Sequence, residues 1–275
     1  MGIGTVAAQC ALKVKAVFDD VTFIETRFDT IMTQEKFCEK NVIDYQMIGN
    51  KSEITDYLAK ISELTLIVSV SNRYIFPIEI VGKKCLTIVN YHGALLPKYP
   101  GRNAEAWAIY NGDYEGGVTW HKVSVGIDEG DIYVQVKVPI TEKTTSFKLL
   151  REYGKVAVES FTKLLPSLLD GSAKCTMQQG ERGELMLARM RPNESVLNPK
   201  WDASHISCFL RAMDYGPLQS MGKPMINDTI ILKYSIISEK NESDTMEYID
   251  ENSEVVIRKR DYTFCLQVEN KNNFN

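Results

Sequence analysis

The residues best suited to chemistry lie between positions 86 and 131. An apolar run, Leu86-Thr87-Ile88-Val89, passes directly into Asn90-Tyr91-His92-Gly93. Residues two apart on a strand share a face, so Asn90 and His92 point the same way at a strand end. Ligands gather at such ends in open α/β sheets. Downstream, the turn Gly126-Ile127-Asp128-Glu129-Gly130-Asp131 carries carboxylates. An amide, an imidazole and the Asp128 carboxylate at one crevice suit acyl transfer. When an amine attacks a carbonyl carbon, charge builds on the carbonyl oxygen, and each donor aimed at it lowers the barrier by about 3–4 kcal/mol. Asn90 and His92 can donate. Asp128 can favour the charged form of His92 by proximity, or move protons through a bound water. No covalent intermediate is needed.

Other chemistries fit less well. Asp128 and Asp131 could both be Asx-turn residues. His121 shares its face with Thr119 and Val123, as a core or pocket-wall side chain. His92, His121, Asp128 and Asp131 invite a metal-site reading, but the histidines lack HxH or HxxxH spacing, and no metal is expected. There is no GxSxG, and Cys85 stands before the strand rather than at its far end, so a serine or cysteine nucleophile is not expected either.

The elements that must position these groups follow a regular alternation. Segments 64–70 and 86–90 are almost continuously apolar, the pattern of strands buried on both faces of a parallel sheet. Residues 21–25 and 42–48 are further strand candidates. Thr33 is expected to cap a helix over 34–40, and Ser52 one over 53–61. A short helix is expected over 102–111, and strands over 117–123 and 132–140. Ser146 should cap a long helix over 147–169, stopped by Asp170-Gly171, whose last turn Pro166 bends or ends. Strands alternating with helices argue for a doubly wound α/β sheet. Gly2-Ile3-Gly4-Thr5-Val6-Ala7 resembles a GxGxxA turn opening a helix over 6–12, but a dinucleotide fingerprint needs a preceding strand, and only Met1 stands there.

From 181 to 199 the pattern loosens into a linker. A second unit then opens at Trp201-Asp202, with a helical stripe of Ile206, Phe209 and Leu210 broken at Tyr215-Gly216-Pro217. Strand-like runs follow over 229–234, 254–257 and 262–268, separated by polar segments such as 238–244. The expectation is a domain over 1–190 and a linker with a small β-rich domain over 191–275. The Asn-rich end, 270–275, is expected to be disordered.

Bulk properties exclude several classes. The chain has 275 residues and a net charge of −4, so it lacks the basic footprint of a general nucleic-acid binder. No run of about 18 apolar residues suggests a membrane span. The six cysteines are scattered without a CxxC pair, as expected of reduced thiols in the cytoplasm.

Taken together, Asn90-x-His92, the loop LLPKYPG (95–101), GVTWHKV and GIDEGDI (126–132) resemble the folate-dependent formyltransferases. These include methionyl-tRNA, glycinamide ribonucleotide and sugar N-formyltransferases, and the likeness is strong over 64–169. It implies a Rossmann-like domain, a mostly parallel sheet flanked by helices, with a small OB-like β domain after it. Trp201-Asp202 and Phe209-Leu210-Arg211-Ala212 are similar to the start of that extension. The family's catalytic Asn, His and Asp fall on Asn90, His92 and Asp128. N10-formyltetrahydrofolate, the implied formyl donor, would lie against Ser71, Asn72, Arg73 and Tyr74, the loop Leu95-Leu96-Pro97, and Gly126, Ile127 and Gly130. Contact would be largely through backbone groups.

The chain departs from the family at Ala94 and Pro100, where Ser and Arg are usual, near where the acceptor would enter. Acceptors compatible with this pattern are an amino-sugar nucleotide, an aminoacyl or natural-product amine on a carrier, or a small amine. Lys and Arg balanced by Asp and Glu over 191–275 count against tRNA. A formyltetrahydrofolate hydrolase and a non-catalytic folate-binding module are the other classes. The family also starts with a strand before its glycine turn, so an upstream start or a shortened gene model is expected here.

Overall fold

The computed structural model describes residues 1–26, 33–218, 220–249 and 253–269. The expectation for 270–275 lies outside these. The chain divides into two units: 1–101, 117–138 and 152–185 form the first, and 102–116, 139–151 and 186–275 the second.

In the first unit, α1 (Gly4–Lys15), β1 (Thr22–Glu25), α2 (Glu35–Lys40), β2 (Asp44–Met47), α3 (Lys51–Lys60), β3 (Thr65–Val70), α4 (Ile78–Val81) and β4 (Leu86–His92) alternate; the short α4 was not expected from the sequence. β5 (Glu115–Lys122) and β6 (Ile132–Pro139) continue the sheet in the order β3-β4-β5-β6. β1 pairs with β2, and β3 with β4, in parallel, whereas β5 runs antiparallel to β4. Residues 1–3 stand between β1 and β3: Gly2 bridges both Glu25 and Val70, and the Val70 N–H donates to the Met1 carbonyl at 3.0 Å. A Cβ on Gly2 would lie 1.8 Å from the Val70 carbonyl oxygen, so only glycine fits this approach.

Apolar side chains of successive strand residues feed two cores. Val70, Val89 and Trp120 pack with Ala7, Ala8 and Cys10 of α1. Ala157, Phe161 and Leu165 of α6 (Ser146–Leu169) join them. On the other face Ile67 and Ile88 pack with Ile54 and Leu58 of α3 and Ile80 of α4. Helices thus cover both faces, the doubly wound arrangement. Asn90 and His92 continue the face of Ile88, which places them where the second core ends.

Helix ends differ from expectation in chemically clear ways. Thr33 is not the cap of α2. Gln34 holds that place without a side-chain cap bond, and its own N–H donates to Glu25 Oε2 at 2.8 Å. Asn50 rather than Ser52 caps α3, its Oδ1 accepting from both the Ser52 N–H and hydroxyl. The C-terminus of α6, by contrast, is where it was expected: the helix carries Pro166 in its last turn, ends at Leu169 and stops before Gly171 at φ +74°. At Ser146 the helix has already begun, and the hydroxyl donates to the Ala212 carbonyl at 2.6 Å.

In the second unit, α5 (Ala104–Tyr110) packs against α7 (Ala203–Met213). Asp202 caps α7 through the His205 N–H. The Arg211 guanidinium, buried, donates to the carbonyls of Thr141 and Thr144. β7 (Met225–Ile226), β8 (Thr229–Ser238), β9 (Thr245–Ile249), β10 (Glu254–Lys259) and β11 (Tyr262–Val268) form one antiparallel sheet, ordered β7-β8-β11-β10-β9. It is curled: the Asn227 side chain, in the β7–β8 turn, donates to the Tyr248 hydroxyl of β9 at the other end of the order. This is the small β fold expected. β9 and β7 were not expected, because both are short and β9 is exposed almost throughout, which removes the alternation that marks a strand.

Asn50→Ala should lower the unfolding free energy by about 1 kcal/mol, read as a fall in the urea midpoint. Ser52→Ala, which leaves the backbone donor and its acceptor in place, should cost only a fraction of that. The opposite order would show that the cap is misassigned.

Candidate active site

Asn90, His92 and Asp128 come together at the end of β4, with His121 of β5 among them. Antiparallel register sets Asn90 opposite His121 and His92 opposite Thr119, so four polar side chains share one patch of one face. The turn after β5 then returns Asp128 to the same place. Asp128 Oδ2 lies 3.5 Å from His92 Nδ1, and Oδ1 lies 3.4 Å from His121 Nε2. Asp128 sits at φ +55°, a conformation Asp tolerates better than most side chains. The Gly101 N–H donates to its Oδ2 at 2.8 Å.

Each histidine gives its other nitrogen to a backbone carbonyl. His92 Nε2 is 2.8 Å from the Tyr99 oxygen and His121 Nδ1 is 2.9 Å from the Lys122 oxygen. A carbonyl can only accept, so these nitrogens carry the hydrogens. In the neutral forms, the nitrogens facing Asp128 are therefore bare.

The orientation of Asn90 is fixed by a directed chain of hydrogen bonds. The Tyr74 N–H donates to Asn72 Oδ1 at 3.0 Å, so Asn72 presents its Nδ2 to the Ser69 hydroxyl oxygen at 3.3 Å. The Ser69 hydroxyl then donates to Asn90 Oδ1 at 2.8 Å. That leaves Asn90 Nδ2 to donate to the Tyr91 carbonyl, 3.2 Å away, and to His121 Nε2, 3.1 Å away.

Burial dominates the electrostatics. His92 is 7% exposed and His121 2%. Burial lowers the His92 pKa from 6.5, and outweighs the opposing pull of Asp128 and of the Tyr99 carbonyl. Burial alone would raise the Asp128 carboxyl. His92, His121 and the Gly101 N–H prevail over it and hold the pKa at about 2. At neutral pH the Asp128 carboxylate is thus ionised, and His92 beside it is held toward its neutral form.

The residues expected to hold a folate are placed in three ways. Asn72 belongs to the hydrogen-bonded chain leading to Asn90. Ser71, at φ +51°, and Arg73 flank it in the turn after β3. The Tyr74 side chain is 5% exposed and faces the core, its hydroxyl 2.8 Å from Thr55 Oγ1, so the pattern there leaves only its backbone for a ligand. In the loop after β4, Leu95 packs beside Gly117, where a Cβ would lie 2.5 Å from Leu95 Cδ2. The Leu96 carbonyl accepts from Gln135 Nε2, and the Leu96–Pro97 peptide is cis. In the Asp128 turn, Gly130 is pressed against Lys122, whose carbonyl oxygen would lie 1.6 Å from an added Cβ. Gly126 is closed in by the Glu129 carboxylate. Ile127 is 36% exposed. Among the described residues no group of three or more His, Cys, Asp or Glu is arranged to hold a metal ion, and all six cysteines are free.

Sequence reasoning did not single out Ser69, Gln178 or Arg182. Ser69 left a signal, being the one hydroxyl between Val68 and Val70 in an apolar strand. Gln178 left none: its Nε2 donates to the carbonyls of Asp128 and Gly130, at 2.8 and 2.9 Å, while Arg182 donates to the Ile127 carbonyl and pairs with Glu129.

Residues 30–165 match the family model described as Formyl transferase. The chain is 31% identical over 152 residues to a GDP-perosamine N-formyltransferase of Brucella melitensis biotype 1, a match covering 55% of this chain and 58% of that protein. It is 30% identical over 129 residues to a methionyl-tRNA formyltransferase of Lactobacillus johnsonii, covering 47% and 41%. The chain thus spans 58% of the length of the first of these curated relatives and 41% of the second. Among solved structures, WlaRD, a sugar 3N-formyl transferase crystallised with dTDP and 5-N-formyl-THF, superposes with a TM-score of 0.77 at 24% identity, covering 98% and 96% of the two chains. An N-formyltransferase from Helicobacter canadensis, in complex with folinic acid and dTDP-3-aminofucose, superposes with a TM-score of 0.78 at 20% identity, covering 98% and 97%. The fold is that of these enzymes, and residues 30–165 of this chain carry the sequence pattern of the formyl transferase family.

Proposed function

We propose that the protein transfers a formyl group from N10-formyltetrahydrofolate to a primary amine, with Asn90, His92 and Asp128 as its catalytic residues. The observation that carries this is the Asp128 carboxylate, held ionised beside His92 and His121 with the Asn90 amide next to them. A donor amide, an imidazole and a carboxylate meet the two demands of formyl transfer, which are charge on the formyl oxygen and a proton moving between nitrogens. That chemistry is the fit between these side chains and the folate, which supplies the activated formyl carbon when bound.

Each side chain then has one task. Asn90 Nδ2 is placed to donate to the formyl oxygen as it gains charge. Asp128 accepts the proton shed by the attacking amine, directly or through a water. His92 faces Asp128 through Nδ1 and is fixed by the Tyr99 carbonyl; once protonated it donates to the Asp128 carboxylate. Ser71, Asn72, Arg73, Tyr74, Leu95, Leu96, Pro97, Gly126, Ile127 and Gly130 form the walls we assign to the folate, mostly by their backbones. Residues 1–190 are read as the catalytic domain and 191–275 as its linker and accessory domain.

The acceptor we favour is an amino-sugar nucleotide. Support comes from the GDP-perosamine N-formyltransferase relative, and from the two sugar-nucleotide-related structures that align over nearly the whole chain. The methionyl-tRNA enzyme aligns over less than half of it. Ala94 and Pro100, in the loop after β4, are the positions at which this chain departs from the family, and they are the first candidates for acceptor choice.

Incubating the protein with N10-formyltetrahydrofolate and a panel of amino-sugar nucleotides, aminoacyl carriers and methionyl-tRNA, and following folate release by absorbance, tests the reading. Turnover that requires an amino-sugar nucleotide is expected, with Asn90→Ala and Asp128→Asn each at least about a hundredfold slower. Folate release without any amine would instead identify a hydrolase, and binding without turnover a folate-binding module. The electrostatics give a second test. Because the folded His92 pKa lies below its unfolded value of 6.5, the unfolded chain binds the extra proton as pH falls through that value. Stability is therefore lost below about pH 6.5, by at most about 1.4 kcal/mol per pH unit from this group. Urea titrations between pH 8 and 5 should show His92→Gln with a shallower slope than the natural protein; equal slopes would mean that His92 is not buried neutral.

A further inference from the structure

His121 is the one member of the cluster that the catalytic assignment above leaves without a task. Its Nδ1–H is committed to the Lys122 carbonyl, so a single atom, Nε2, decides what it does. Nε2 lies 3.1 Å from Asn90 Nδ2 and 3.4 Å from Asp128 Oδ1. Bare, it can accept the Asn90 N–H but offers nothing to the carboxylate. Protonated, it donates to Asp128 and can no longer accept from Asn90. The two bonds exclude each other.

The amide cannot escape this choice by flipping. The chain Tyr74 N–H to Asn72 to Ser69 to Asn90 Oδ1 fixes its orientation from a backbone donor, and the second Nδ2 hydrogen is directed to the Tyr91 carbonyl. With His121 neutral, both Asn90 hydrogens are therefore occupied, and neither is free for a substrate oxygen.

We propose that His121 is a positioning residue that holds the Asn90 amide while neutral and exchanges it for Asp128 on protonation, releasing an Asn90 N–H as it takes up a proton. This rests on the formyl-transfer reading of the site. The proton balance closes within that reaction. The amine nitrogen gives up one proton as its bond to the formyl carbon forms, and Asp128 passes it to His121 Nε2. Nε2 returns it by the same carboxylate to the folate nitrogen as the old bond breaks. The Asn90 donor is thus available while the formyl oxygen carries charge, and is withdrawn afterwards. Among the described residues, the titratable groups facing His121 are Asp128, which favours the added proton, and His92 beyond it, which opposes a second positive charge. Gly130 packs on the Nδ1 side, where an added Cβ would lie 3.5 Å from the ring.

The test reads His121 and Asn90 separately from turnover. In 15N-labelled protein without ligands, imidazole spectra should show neutral His121 as the Nδ1–H tautomer. The Asn90 side-chain amide resonances should move on acidification with the same midpoint as His121, whether that midpoint is high or low. His121→Gln keeps an acceptor for Asn90 but cannot take a proton. It should lose about a hundredfold in kcat, keep KM for the folate within about twofold, and drop one ionisation from the kcat–pH profile. An Nε2–H tautomer, Asn90 resonances that stay fixed while His121 titrates, or a His121→Gln variant with the natural kcat and pH profile would each overturn the proposal. Should the variant not fold, the spectra of the natural protein decide alone. Coupled titration without formyl transfer to any amine would defeat the functional reading and leave the exchange standing; formyl transfer with uncoupled titration would do the reverse.

Discussion

A carboxylate kept ionised in a nearly dry place is the constraint on which the rest of the site depends. Burying an unpaired charge costs several kcal/mol, so Asp128 must be surrounded by groups that favour its negative form. The fold supplies a backbone N–H from Gly101, and sets beside it two imidazoles that favour the carboxylate only when the facing nitrogen carries a proton. The imidazoles have spent their hydrogens on the Tyr99 and Lys122 carbonyls. They meet the carboxylate with bare nitrogens, which is an arrangement that welcomes a proton. Such a cluster is poised to accept and pass a proton, rather than to form a permanent ion pair.

That constraint reaches outward into backbone geometry. The Tyr99 carbonyl holds His92, and two residues later the Gly101 N–H holds Asp128, so one short loop serves both partners. Its start is tied to β5, where the Thr119 hydroxyl donates to the Ala94 carbonyl at 2.6 Å. The Lys122 carbonyl that holds His121 is the same one against which Gly130 is packed. The Asp128 turn is in turn secured from outside by Gln178 and Arg182, and the Gly183 N–H donates to the Pro97 carbonyl. A stretch whose composition reads as loosening therefore acts as an outer brace for both loops.

Much of this was legible in the sequence, and the reasons differ by element. The period of two along a strand is enough to put Asn90 and His92 on one face. It also puts Thr119, His121 and Val123 together, although it cannot say that β5 lies antiparallel beside β4 in the register that sets His121 opposite Asn90. Register is a property of pairs of strands. Capping was legible only in kind: Asn50 and Ser52 are both good cap residues, and the choice between them depends on where the backbone turns, as it does between Thr33 and Gln34. The end of α6 was legible because Pro166, whose cost is one hydrogen bond, falls only in the last turn of a helix anchored by Ala157, Phe161 and Leu165. β9 has almost no buried residue to announce it; it exists because β10 offers it a ladder.

Direction in the polar network also follows from the fold rather than from any charged residue. Hydroxyls and amides can usually be read either way round, but each end of this chain is a main-chain group with one role: the Tyr74 N–H must donate, and the carbonyls of Tyr91 and Lys122 must accept. Between those ends every side chain has one consistent orientation. Asn90 is thereby aimed by main-chain groups rather than by the Asp128 carboxylate close by, which leaves Asp128 free to change its proton balance without disturbing the amide's orientation. A site built this way separates the amide, fixed by the backbone, from the carboxylate, and His121 Nε2 is the single atom within reach of both.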